Sequence, residues 1–210
     1  MCFDSGKHFG LSQHFRFRRG VIRESALTLR STCLVLMLLS CGAPDASLDP
    51  RSTGPLVNVF DWTVTEPDED PFAELWSDQV RCPDSEHGPE DLAGVWSYSI
   101  QTGACNWLTI EHPTLLAVRA GDRVRAEVWH FTLSAPEPAS ARVGLAIADG
   151  VLVQTMEPIP QPGRLMELEF IAQAPIAAAT PLYFHISNHG ANSWHLLNIE
   201  LNPVAEESIP

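Results

Sequence analysis

Apolar residues in this chain recur at every second position, and no long stretch repeats at the helical period. Residues 123–133 show this most cleanly. Val124, Ala126, Val128 and His130 fall on one side, and Arg123, Arg125 and Glu127 on the other, continued by Trp129 and Phe131. Successive side chains of an extended strand point to opposite faces, so the spacing describes a strand with one face in a core. The same alternation marks residues 56–64, where Leu56, Phe60, Trp62 and Val64 are interrupted by Asn58. It returns over 95–100, 107–111, 115–119, 143–147, 151–156, 165–171, 182–187 and 194–201. Pro136, Pro138, Pro158, Pro160, Pro162, Pro175 and Pro181 fall in the connections, as ladder hydrogen bonding requires. Ala120-Gly121-Asp122 and Asp149-Gly150 read as turns, the second within a two-residue hairpin. One short helix is expected, with Asp70 as N-cap and Pro71 at its first position, followed by Phe72, Leu75 and Trp76. About ten strands and one short helix predict an all-β fold, a single antiparallel β-sandwich over residues 55–204 with a tail over 205–210.

The N-terminal region reads as an address. Residues 33–40 form the one apolar run, far short of the about 20 residues a bilayer span needs. Arg16, Arg18, Arg19, Arg23 and Arg30 precede it, which suits a secretion signal over residues 1–40. Val21 is a candidate true start that would leave a signal of usual length. Arg18-Arg19 weakly resembles a twin-arginine signal, against which Glu24 and Arg30 argue. The run ends at Leu38-Leu39-Ser40-Cys41, followed by Gly42. That resembles the lipobox of bacterial lipoproteins, in which cleavage precedes a cysteine acylated on its thiol. Leu38 and Ser40 comply; Leu39 departs, since a small residue or threonine is commoner there. The alternative is an ordinary cleaved signal with a chance cysteine. The resemblance implies a lipid anchor at Cys41 and a membrane partner through that lipid. It places the protein in the cell envelope, at the outer membrane because Gly42 rather than aspartate follows the cysteine. Residues 41–54, rich in Pro, Ser, Gly and Asp, read as a flexible tether.

Removing residues 1–40 sharpens the charge. The whole chain of 210 residues has a formal charge of −13; beyond residue 40 seven arginines face 24 acids, giving −17, with no lysine. Such a domain repels phosphate backbones, which argues against nucleic-acid binding. Of the five cysteines, Cys2 and Cys33 leave with the signal and Cys41 takes the lipid, so Cys82 and Cys105 are expected to form a disulfide in an oxidising compartment. Neither redox Cys-x-x-Cys spacing nor zinc-ligand spacing surrounds them.

The closing stretch includes Thr180-Pro181-Leu182-Tyr183-Phe184-His185 and runs on through Asn188, His189, Gly190, Asn192 and Trp194 to Leu201. It resembles the last hairpin of a galactose-binding-like jelly roll, in which a Gly-Asn-x-Trp-like stretch often enters the final strand. Residues 120–129 resemble a central strand of that class. The resemblance implies a jelly-roll sandwich and carbohydrate or protein binding at loops or on a concave sheet face.

Three groups of residues bear on function. His130, His185 and His189 are candidate copper or zinc ligands if they converge, although histidines on alternating apolar faces are more often satisfied core residues. His195 shares strand parity with Leu197, Ile199 and Leu201, which places it on a core face. Asn188, His189 and Asn192 read first as a hairpin loop and second as ligand contacts beside Trp194. Trp107 and Trp129 alternate with polar residues and are the expected exposed pair for stacking on a sugar ring. The acidic run Glu66-Pro67-Asp68-Glu69-Asp70 matches no calcium-loop spacing and reads as helix capping and solvated charge. No nucleophile elbow or metalloprotease helix is present, so no catalytic residue is assigned. The expectation is a lipid-anchored, non-catalytic β-sandwich without a cofactor that binds a glycan or an envelope protein. A histidine-based copper or zinc protein and a purely structural envelope component are the alternatives.

Overall fold

A computed structural model describes residues 52–75 and 80–202. The signal, Cys41, most of the tether, Trp76 and the tail lie outside the described residues. Eleven strands form among the described residues, all paired antiparallel. They are β1 (Gly54–Pro55), β2 (Thr63–Val64), β3 (His87–Leu92), β4 (Val95–Gln101), β5 (Trp107–Pro113) and β6 (Arg123–His130). The rest are β7 (Ala139–Ile147), β8 (Gly150–Ile159), β9 (Arg164–Ile171), β10 (Pro181–Ser187) and β11 (Ser193–Asn202).

The front sheet runs β3-β4-β11-β6-β9, with β1 pairing the far end of β11. The back sheet runs β2-β5-β10-β7-β8. Within them the pairs β7–β8, β6–β9, β5–β10 and β4–β11 nest around a single hairpin, and the long ribbon so formed rolls up until β11 meets β6 and β10 meets β7. This is a jelly-roll β-sandwich. The turn of that hairpin falls on Ala148 and Asp149, and Gly150 opens β8 at φ +139°.

The alternation gives the core. Val124, Ala126 and Val128 from the front sheet and Leu108, Ile110, Phe184 and Ile186 from the back sheet are all 0% exposed. Each of these side chains larger than alanine contributes roughly 1.5–3 kcal/mol by leaving water. His130 joins this face at 0% exposure, its Nδ1 bonded to the Phe131 carbonyl at 2.7 Å and its ring 4.9 Å from that of Trp194. A Cys82–Cys105 disulfide, Cα to Cα 4.8 Å, ties the chain before β3 to the β4–β5 connection. Closing that 23-residue separation stabilises the fold by about 3 kcal/mol in the chain-entropy model.

Several expectations are corrected. Residues 56–62 form no strand: the Asn58 side chain accepts from the Phe60 amide and donates to Asp61, making a turn that leaves Phe60 52% exposed. Residues 115–119 are irregular and form only an isolated antiparallel bridge, Val118 to Ile176 in the β9–β10 connection. Among the described residues the expected short helix is a 3-10 turn, Ala73–Leu75, and Asp70 Oδ1 accepts the Phe72 amide just before it at 2.9 Å. β3 was hidden by Gly88 and Pro89, which read as loop residues yet lie on an edge strand where proline is tolerated.

Candidate functional site

The two outer faces differ. On the back sheet, the outward side chains of β5 and β10 are Trp107, Thr109, Tyr183 and His185. The segment 65–75 folds across them, and Phe72 (1% exposed) packs with Trp107, Ala146 and Tyr183. Its ring stacks on His185 at 4.5 Å and lies so close to Gly144 that a Cβ there would meet it at 3.0 Å. Trp107 is therefore 7% exposed and is not a stacking platform. Its polar neighbours mark an outward face, but that face is covered.

This cover shifts titrations. His185 is 0% exposed with Nδ1 at 2.8 Å from Thr109 Oγ1, and burial, helped by Arg142, pushes its pKa down to about 3. The folded chain keeps it neutral while the unfolded chain binds a proton below the ordinary value near 6.5. Stability carried by this residue is present above about pH 6.5 and is lost progressively as pH falls towards 3, on the order of a few kcal/mol at full extent. Asp70 and Glu111 act oppositely: burial raises both, so they favour the fold in acid and offset part of the loss. Urea midpoints are expected to fall from pH 7 to pH 4.5, and His185→Gln to flatten that slope; an unchanged slope would refute the assignment.

The front sheet carries no such cover among the described residues. Its outward side chains lie in rows across the strands. One row runs Gly88, Ser99, His195, Trp129 and Leu165 from β3 to β9. On one side of it stand Glu90, Ser97, Asn198, Glu127 and Glu167; on the other stand Gln101, Ser193 and Phe131. Phe131 is 47% exposed and Leu165 44%, while Trp129 is half-buried. The Phe131 ring stands edge-on to Trp129 at 6.2 Å and to His195 at 5.5 Å. Gln101 donates to Ser99 at 2.9 Å and accepts from Ser193. A cleft of about 220 Å³ opens between Glu86, Gly88, Glu90, Ser99 and Gln101 at the β3 end.

His195 is a correction. Strand parity groups it with Ile199 and Leu201, but a bulge between Leu196 and Asn198 resets the register of β11. Trp194 and Leu196 therefore share the core face with Ile199 and Leu201, and His195 turns to the outer face, where it lies 2% exposed against the Phe131 ring. Burial lowers its pKa against the opposing Glu90 carboxylate, which lies 4.0 Å from Nδ1.

The remaining candidates are placed elsewhere. Trp194 is 0% exposed and cannot stack on a ligand. Asn188 and Asn192 are buried and knot the β10–β11 loop. Asn188 donates to Thr102 at 2.6 Å; Asn192 accepts from the Ser134 amide at 2.7 Å and donates to its carbonyl at 3.1 Å. Their amides are spent on the fold, leaving His189 exposed beside an open cleft of about 750 Å³ under residues 135–140. His130, His185 and His189 do not converge: the first faces the core from the front sheet, the second lies on the outer side of the back sheet, the third is in a loop. Among the described residues no group of three His, Cys, Asp or Glu side chains is arranged to hold a metal ion.

No protein-family model matches the chain. No curated protein matches it either. Among solved structures it is similar to TmCBM61 in complex with β-1,4-galactotriose, at 8% identity and TM-score 0.42, covering 70% of this chain and 91% of that one. It is similar to a putative sugar binding protein from Bacteroides thetaiotaomicron, at 8% identity and TM-score 0.43, covering 72% and 100%. A third is CsCBM6-3 from Clostridium stercorarium in complex with cellobiose, at 11% identity and TM-score 0.37, covering 72% and 99%. Likeness at this level carries no conclusion about ligand or activity.

Proposed function

We propose that the open front face binds glycan chains and that the protein is a non-catalytic binding module held in the cell envelope by lipid at Cys41. The observation that carries the glycan reading is the exposed Phe131 and half-buried Trp129 standing beside the polar side chains Gln101 and Ser193, with Ser99 and His195 buried just behind them. A sugar ring has an apolar C–H face and a rim of hydroxyls, so it needs an aromatic surface next to hydrogen-bonding groups. A protein interface would place most of its apolar surface together at the centre; here it is confined to one end of the row. Glycan-array screening of the purified protein, followed by calorimetry with Trp129→Ala, tests this. At least about a tenfold loss of affinity with unchanged folding is expected, the scale of one aromatic contact. Silence across the array would remove the reading.

The anchor rests on Leu38, Ser40 and Cys41. Palmitate labelling of the protein in a bacterial host is expected to be abolished by Cys41→Ser. Labelling that survives the substitution would sink it.

A further inference from the structure

We infer that the front face takes neutral glycans and rejects chains bearing carboxylate or sulfate groups; this rests on the glycan reading and says which glycans satisfy it. The face has two described cations, and both are engaged. Arg123 pairs with Glu169 at 3.4 Å, and Arg125 pairs with Glu127 and, at 3.3 Å, with Glu167. Each arginine of the face therefore stands beside a carboxylate. The row that flanks Trp129 and His195 carries Glu90, Glu127 and Glu167; the last two share the single charge of Arg125, so the row stays net negative, with Glu90 and Glu167 about half exposed. An anionic sugar laid along the row would sit beside these charges near the low-dielectric body of the sheet, where repulsion is screened least.

The hydrogen-bonding groups give the same sense. Ser97 directs its single proton to the Glu90 carbonyl at 3.3 Å, so its oxygen accepts from His195 Nδ1 at 3.2 Å. His195 Nε2 then carries a bare lone pair, buried and with no partner among the described residues. A hydroxyl reaches it only if the exposed Phe131 yields. Behind the face, two acceptors, His195 Nε2 and the Asn198 side-chain oxygen, and one donor, Arg125 Nε, are buried without partners, while the Glu90 carboxylate stands half exposed at the surface. A sugar hydroxyl can donate to that carboxylate, whereas a carboxylate or sulfate brings only further acceptors. The row crosses five strands, roughly 19 Å at 4.8 Å per step, enough for a chain of several sugar units.

Calorimetry on the purified protein with three matched pairs tests the inference: cellohexaose, β-1,4-galactan and β-1,4-mannan, each with its own C6-carboxylated form. In each pair that binds, the acidic member is expected to be at least tenfold weaker in 50 mM salt. The gap should narrow in 500 mM salt and in Glu90→Gln/Glu167→Gln. An acidic member that binds as tightly as its neutral partner overturns the charge selection and leaves glycan binding standing. Silence from all six probes, together with an empty glycan array, overturns both.

Discussion

Phe72→Ala is expected to lower the unfolding free energy by about 3–5 kcal/mol, the range for truncating a buried aromatic residue. At a domain of this size the melting temperature should fall by roughly 10 °C or more. The reason is that Phe72 is the one fully buried side chain by which the segment 65–75 closes the back sheet. Its ring is held from both directions: Asp70 fixes its amide, and the absence of a Cβ at Gly144 lets it lie flat on β7 while it stacks on His185. Alanine would leave the cavity open to water on one side. A second readout separates this from ordinary core damage. With the ring gone, His185 regains solvent, its pKa returns towards the usual value, and the loss of stability between pH 7 and pH 4.5 should shrink. A destabilisation below about 1 kcal/mol, or an unaltered pH slope, would mean that the segment does not seal the sheet.

The asymmetry between covered back and open front decides which residues are available for binding, and it was only half legible in the sequence. Alternation identified most of the strands, because a period of two follows from backbone geometry alone. Which face of a strand meets solvent depends on what else folds over it. Trp107 and Trp129 carry the same local signature, yet Phe72 buries one and nothing among the described residues covers the other. The signal for the cover was present in Asp70-Pro71-Phe72, a capped turn with an aromatic residue, but not its destination. His195 failed for a different reason. One extra residue near Leu197 inverts the parity of everything before it, and a bulge leaves no mark in hydrophobic spacing when Leu196 and Leu197 are both apolar. Alternation puts Phe131 on the charged face beside Trp129, but spacing alone does not show that its ring stands against both Trp129 and His195. Asn188 and Asn192 lie in the β10–β11 connection, and their hydrogen bonding to Thr102 and Ser134 joins positions too far apart in sequence for spacing to reveal.

That knot predicts the second large effect, at Gly190. The residue sits at φ +93°, and a Cβ there would press into the Ser134 carbonyl oxygen and lie 3.1 Å from Ala135 Cα. Alanine at such a φ costs about 1–2 kcal/mol from backbone strain alone. The collision adds to this, because the opposing wall is backbone and cannot rotate aside. Ser134 cannot retreat without breaking both of its bonds to Asn192, whose side chain also reaches Asn188 and the His189 carbonyl. Buried donors and acceptors would then lose partners together, at roughly 1–3 kcal/mol for each group left unsatisfied. Gly190→Ala is therefore expected to destabilise by about 4 kcal/mol or more, among the largest effects a single methyl group produces. Gly121→Ala is the control, since Gly121 has nearly the same φ, +88°, and nothing within 4 Å of its notional Cβ. It should show the strain alone, about 1–2 kcal/mol. Urea denaturation of both variants measures the difference, which belongs to the contact between the β10–β11 loop and the β6–β7 loop. If the two variants lose the same stability, the two loops are not in contact and the asparagine knot does not hold them.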